Sequence, residues 1–107
     1  MNYINPIYKT KDTITTKALI DFHNFYKYDG EIVYSSPVYT YNNKPIIYAK
    51  LVFNDEEHQI HIRTVDCNGN NYNYNKEYYG KSEVIEIINR KINNKLSEFY
   101  RKGIITL

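Results

Sequence analysis

The chain of 107 residues predicts an α+β fold. The expected form is a two-layer sandwich: an antiparallel β-sheet of three to five strands, with an N-terminal helix and a long C-terminal helix on one face. Three observations lead there. Ile85, Ile88, Ile92, Leu96 and Phe99 recur at spacings of three and four, the stripe of an amphipathic helix. Residues from Glu31 to Val65 are rich in Val, Ile and Tyr and alternate in character, as half-buried strands do. Polar segments, Asn42-Asn43-Lys44 and Asn54-Asp55-Glu56-Glu57, divide that stretch into a meander. No repeat and no Pro/Gly/Ser linker interrupts the chain, so residues 1–107 are expected to form a single domain.

In chain order, Asn2 to Tyr8 reads as a short edge strand, where Pro6 is tolerated if its missing N–H faces solvent. From about Thr15 to Tyr28, Leu19, Phe22 and Tyr26 fall at helical spacing, flanked by Ala18 and Phe25. Asp12, Thr13, Thr15 and Thr16 offer N-cap oxygens, and Gly30 suits the position after the helix. Glu31 to Tyr41, Ile46 to Phe53 and Gln59 to Val65 are the three clear strands, with Pro37 marking an edge or a bulge. Asn68-Gly69 is a strong two-residue hairpin signal and leads toward a fourth strand through Tyr72 and Tyr74. Ser82 is a suitable N-cap for the last helix, Glu83 suits its first turn, and Gly103 ends it.

Alternation by two assigns the sheet faces. Ile47, Ala49, Leu51 and Phe53, with Ile60, Ile62 and Thr64, are expected to meet the helices. The opposite face then carries Tyr48, Lys50, His61 and Arg63, joined by Tyr39 and Tyr41 from the first meander strand. Tyr and Arg are frequent anchors of protein interfaces. The same residue types also stack on bases and neutralise phosphate. The plainest alternative is a solvated face with cross-strand Tyr–Lys and His–Arg pairs. The competing recognition surface is the Asn68–Asn75 loop with Tyr72 and Tyr74, because loops on rigid scaffolds often carry binding.

Catalytic and metal chemistry find little support. Gly80-Lys81-Ser82 matches only the end of a phosphate-binding loop, with Asn75 where a glycine is required. Asp66, Asn68, Asn70 and Glu77 fall at positions 1, 3, 5 and 12 of a calcium loop. Asn71 replaces its glycine, however, and strands flank it. His58 and His61 are three apart on a strand and point to opposite faces, and His23 has no evident partner. Ser35-Ser36-Pro37 lacks a nucleophile elbow, and Asp66 beside Cys67 disfavours a thiolate. The expectation is no catalytic residues, no metal site and no cofactor.

The order helix, three strands, helix resembles the double-stranded-RNA-binding domain in topology. That family opens its second helix with a lysine cluster and carries a Gly-Pro-x-His-like loop between its first strands. Here the corresponding segments are Gly80-Lys81-Ser82-Glu83 and Asn42-Asn43-Lys44-Pro45, and Cys67 to Tyr79 is an added segment. RNA binding is therefore not carried over.

Composition supplies the context. Ile, Asn, Tyr and Lys make up half the chain, which points to an A/T-rich genome and discounts any argument from Tyr or Lys abundance alone. The formal charge of +2 is too small by itself to imply nucleic acid. One cysteine, no long apolar run and no signal-peptide pattern fit a cytoplasmic protein without a membrane association. In size, composition and lack of chemistry the chain resembles small inhibitors encoded by phages and mobile elements, of the anti-CRISPR or toxin-immunity type. The expected function is non-catalytic binding that occludes a site on a larger protein, by a monomer or homodimer. The alternatives are an RNA- or DNA-binding module using the Tyr/Lys/Arg face, and a small ribonuclease toxin.

Overall fold

The structure, a computed structural model, describes residues 7–70 and 83–106. Its strands are β1 (Ile7–Lys9), β2 (Tyr26–Tyr28), β3 (Glu31–Tyr41), β4 (Lys44–Asn54) and β5 (Gln59–Asp66). Its helices are α1 (Thr16–Phe22) and α2 (Glu83–Arg101). The strands form one antiparallel sheet in the order β1-β5-β4-β3-β2. The α+β architecture expected from the sequence is what the chain adopts.

The N-terminal half departs from expectation in one respect. The helix does not run to Tyr28 but stops at Phe22, and Tyr26–Tyr28 is a strand paired with Val33, Ile32 and Glu31. Thr15 caps the helix, its Oγ1 accepting the Ala18 N–H at 3.1 Å. Asn24 ends it by taking φ 64°, a left-handed conformation that Asn tolerates better than most residues. The Leu19 carbonyl accepts from both His23 and Phe25 across that break. Gly30, expected after a helix, instead forms a hairpin turn with Asp29, at φ 78° and 51°. Positive φ at both central residues twists the turn to match the strands. Asn42 and Asn43, at 51° and 64°, do the same between β3 and β4. The shortened helix also redistributes its aromatic residues: Phe25 is buried, while Phe22, which shares the helical spacing of Leu19, is 78% exposed.

The last helix follows its sequence pattern fully. Ile85, Ile88, Ile92, Leu96 and Phe99 are all buried, in one cluster with Leu51, Phe53, Ile60 and Ile62 of the sheet. Each such side chain contributes roughly 1.5–3 kcal/mol on burial, which holds a helix that alone would be marginal. Gly103 at φ 77° closes α2. Its N–H reaches the Tyr100 carbonyl at 3.0 Å, and the Ile104 N–H reaches Phe99 at 2.9 Å, a Schellman closure. The chain then turns onto the N-terminal segment. Ile104 and Ile105 are completely buried, Thr10 bridges to Ile105, and Thr106 donates to the Lys9 carbonyl at 2.9 Å.

Three earlier expectations, the fourth strand through Tyr72 and Tyr74, the Ser82 cap and most of the Asn2–Tyr8 strand, lie outside the described residues. At Asp66 the chain forms a tight turn, its carboxylate accepting from the Asn68 and Asn70 N–H groups at 2.9 Å each.

Candidate functional site

The helices, the tail and Phe25 cover one sheet face; among the described residues no helix or strand lies over the other. Strand register places the outer residues in rows. Tyr28, Glu31, Asn54, Gln59 and Lys9 form the first, at the end of the sheet that carries the Asp29-Gly30 turn. Tyr26, Val33, Val52, His61 and Ile7 form the second. Ser35, Lys50 and Arg63 form the third, and Pro37, Tyr48 and Val65 the fourth. Tyr48, Lys50, His61 and Arg63 therefore share the face that alternation assigned to them.

Tyr39 does not join them. A register shift between Pro37 and Tyr39 sets Tyr39 opposite Ile47, and it packs against the core cluster. A bulge inserts one residue and so exchanges the faces beyond it, which alternation alone does not show. Ile46, expected on the outer face, likewise packs against the core. Tyr41 pairs with Lys44 beside the Asn42-Asn43 turn and is exposed. Tyr72 and Tyr74 lie outside the described residues.

The cations of the third row lean toward the first. Arg63 crosses diagonally to Glu31, Nη2 to Oε1 at 2.7 Å, two strands away. Lys50 places its Nζ 5.3 Å from the centre of the Tyr28 ring, also two strands away, within cation–π range. By register, the first reach passes above Val52 and the second above Val33. Tyr26 adds a 2.8 Å hydrogen bond between its hydroxyl and that of Ser35. Long side chains bury apolar neighbours under their stems while their charged ends stay in water. Val33, on a face without a helix, is consequently only 1% exposed. The outer face around Val33 is thus roofed by its own side chains. Tyr26 and Tyr28 were not singled out in the sequence because they read as helical; the Asp29-Gly30 pair was the signal that could have found them.

An open cleft of about 640 Å³ runs from this roof to the turns, lined by Glu31, Val52, Asp55, Glu56, His61 and Arg63 among others. It holds one imidazole and the carboxylates of Glu31, Asp55 and Glu56, of which Glu31 is engaged by Arg63. Acid–base catalysis of phosphodiester cleavage calls for two groups free to exchange protons. His58 lies in the β4–β5 turn at φ 53°, where its carbonyl accepts from Thr10 at 2.8 Å, while His23 is the C-cap of α1. The three histidines do not converge, and no cluster of three metal-ligating residues occurs among the described residues. Cys67 is a free, exposed thiol. No helix among the described residues is long and apolar enough to cross a membrane. The chain matches no family model, no curated protein and no solved structure.

Proposed function

We propose that this chain is a non-catalytic protein-binding module that occludes a site on a larger protein through its outer sheet face. The observation that carries the reading is the asymmetry of the sheet: one face lies under helices, while the other presents Tyr26, Tyr28, Tyr48, Lys50 and Arg63. Tyr and Arg on a rigid sheet make good anchors because little conformational freedom is lost on docking. Nucleic acid is the weaker reading. Phosphate binding requires a track of available cations, and here Arg63 is tied to Glu31 while Asp55 and Glu56 line the adjoining cleft. The ribonuclease reading is weaker again, since the three histidines do not converge and the Glu31 carboxylate of the cleft is engaged by Arg63.

We read the protein as a monomer. Beyond Val33, β3 has no strand on its β2 side among the described residues, and Pro37 with the adjacent bulge blunts that edge against a second copy. The small size, the A/T-rich composition and the single thiol suit an inhibitor encoded by a phage or mobile element and working in the cytoplasm.

Affinity capture from an A/T-rich bacterial host, with wild type and Tyr28→Ala/Tyr48→Ala compared, tests this reading. The wild-type chain is expected to retain a specific protein that the double variant loses by ~30-fold or more in affinity, about 2 kcal/mol. The thermal transition of the variant must stay cooperative. Capture of nucleic acid that elutes steeply with salt would overturn the reading, as would RNA cleavage that His61→Ala abolishes.

A further inference from the structure

We propose that the centre of the outer face, between Lys50 and Arg63, receives a carboxylate side chain from the protein partner. The inference rests on the protein-binding reading and names the chemistry of its central contact. Lys50 and Arg63 are register partners on adjacent strands of one face. Directly opposed side chains in such a pair have β-carbons about 4.5–5.5 Å apart, and like charges there repel. A sheet normally resolves that repulsion with an anion beside each cation. Here there is one carboxylate for two cations. Glu31 takes an Nη of Arg63, and no carboxylate among the described residues stands at ion-pair distance from Lys50, whose ammonium lies over the Tyr28 ring.

Arg63 adds a second, independent sign of incompleteness. Its Nε is shielded from solvent and has no hydrogen-bond acceptor among the described residues. A buried donor left without an acceptor carries a standing penalty. An incoming carboxylate can accept from the ammonium and the guanidinium together, and it meets the shielded Nε once the Arg63 side chain shifts from its place above Val52. The row next to these cations is Pro37, Tyr48 and Val65, which offers the apolar and aromatic surroundings in which such a contact strengthens. Lys50 and Arg63 against Glu31 leave a surplus of one charge at this spot, with Asp55 and Glu56 lining the cleft beyond it. That suits one Asp or Glu in a protein surface and falls short of the several cations that follow a phosphate backbone.

The test is a titration of ¹⁵N-labelled protein followed by NMR, using three probes: a capped Glu-rich decapeptide, its Gln counterpart and a single-stranded RNA decamer. The Glu peptide is expected to shift the amides of Tyr48, Lys50, Arg63 and Val65, and the Gln peptide to leave them in place. Lys50→Met, which keeps the stem above Val33, is expected to weaken the Glu peptide at least tenfold; Lys50→Gln is the second variant if the first melts early. Shifts confined to other residues, or equal binding by wild type and both variants, overturn the proposal. Tighter binding of the RNA at these same residues overturns it in favour of phosphate. If a captured partner is lost by Tyr28→Ala/Tyr48→Ala but held unchanged by Lys50→Met, the carboxylate contact is refuted while the protein-binding reading stands.

Discussion

The two faces of this sheet bury apolar residues by different means. On the helical face, Leu51, Phe53, Ile60 and Ile62 are enclosed by α2, Phe25, Leu19 and the Ile104-Ile105 tail, elements distant in sequence. On the outer face, Val33 is enclosed and Val52 partly covered by Lys50, Arg63, Glu31 and the β2 tyrosines, all within the sheet itself. The first arrangement excludes water with a second layer and is rigid, because close-packed side chains have few alternatives. The second excludes water with exposed ion pairs and aromatic contacts, each worth about 1 kcal/mol or less. A face of the second kind can rearrange against a partner at small cost, whereas the first cannot be opened without unfolding.

The sharpest test of that contrast compares one deletion on each face. Ile92→Ala should cost roughly 2–5 kcal/mol in urea denaturation, because it leaves a cavity in the packed layer. Val33→Ala should cost about 1.5 kcal/mol, near the transfer value of two methyl groups, since the flexible roof settles onto the smaller residue. Equal losses would mean that the roof is as rigid as the helical layer. A smaller effect is expected for the ion pair. A double-mutant cycle on Glu31→Ala and Arg63→Ala should give a coupling energy of about 0.2–1 kcal/mol that shrinks with added salt, both partners being more than a third exposed.

The smallest effect lies on the outside of α2. Hydrogen bonds from Lys95 and then Lys102, with the attraction of their charges, hold the Glu98 carboxyl below the usual carboxylate range. Its stabilising contribution is therefore full above the unfolded value of about 4.3 and is lost as pH falls through the lower folded value. Glu98→Gln should lower stability by a few tenths of a kcal/mol at pH 7, and by progressively less as pH falls below the unfolded value of about 4.3. A deficit that persists in acid would assign the loss to packing instead of charge.

The parts of the fold legible in the sequence are those whose signal repeats locally. The stripe from Ile85 to Phe99 spans more than four turns, and every member is buried. β3 begins and ends where its composition changes, at Glu31 and Tyr41. β2 was not legible because three residues carry no period, and their strand state depends on pairing with β3. Alternation placed Tyr48, Lys50, His61 and Arg63 on one face, and it failed at Tyr39, where the bulge resets the phase. The direction in which Lys50 and Arg63 lean was beyond it altogether. That direction is set by Tyr28 and Glu31, two strands away, and the first of those strands carries helical spacing in the sequence.

The pairing of Thr106 with Lys9 sets the order in which the molecule can be completed. The β3–β4–β5 meander needs only short-range hairpins, so it can assemble while the chain is still being made. Part of its helical face nevertheless stays wet until Ile104 and Ile105 arrive, and among the described residues β1 has no neighbour on its outer side until Thr106 reaches it. During synthesis the protein therefore passes through a stage with a finished sheet and an open core, the stage at which a chaperone or a protease would find it. A chain ending at Lys102 should remain there: ordered in its strands by circular dichroism, fluorescent with a dye for exposed apolar surface, and without a cooperative melt.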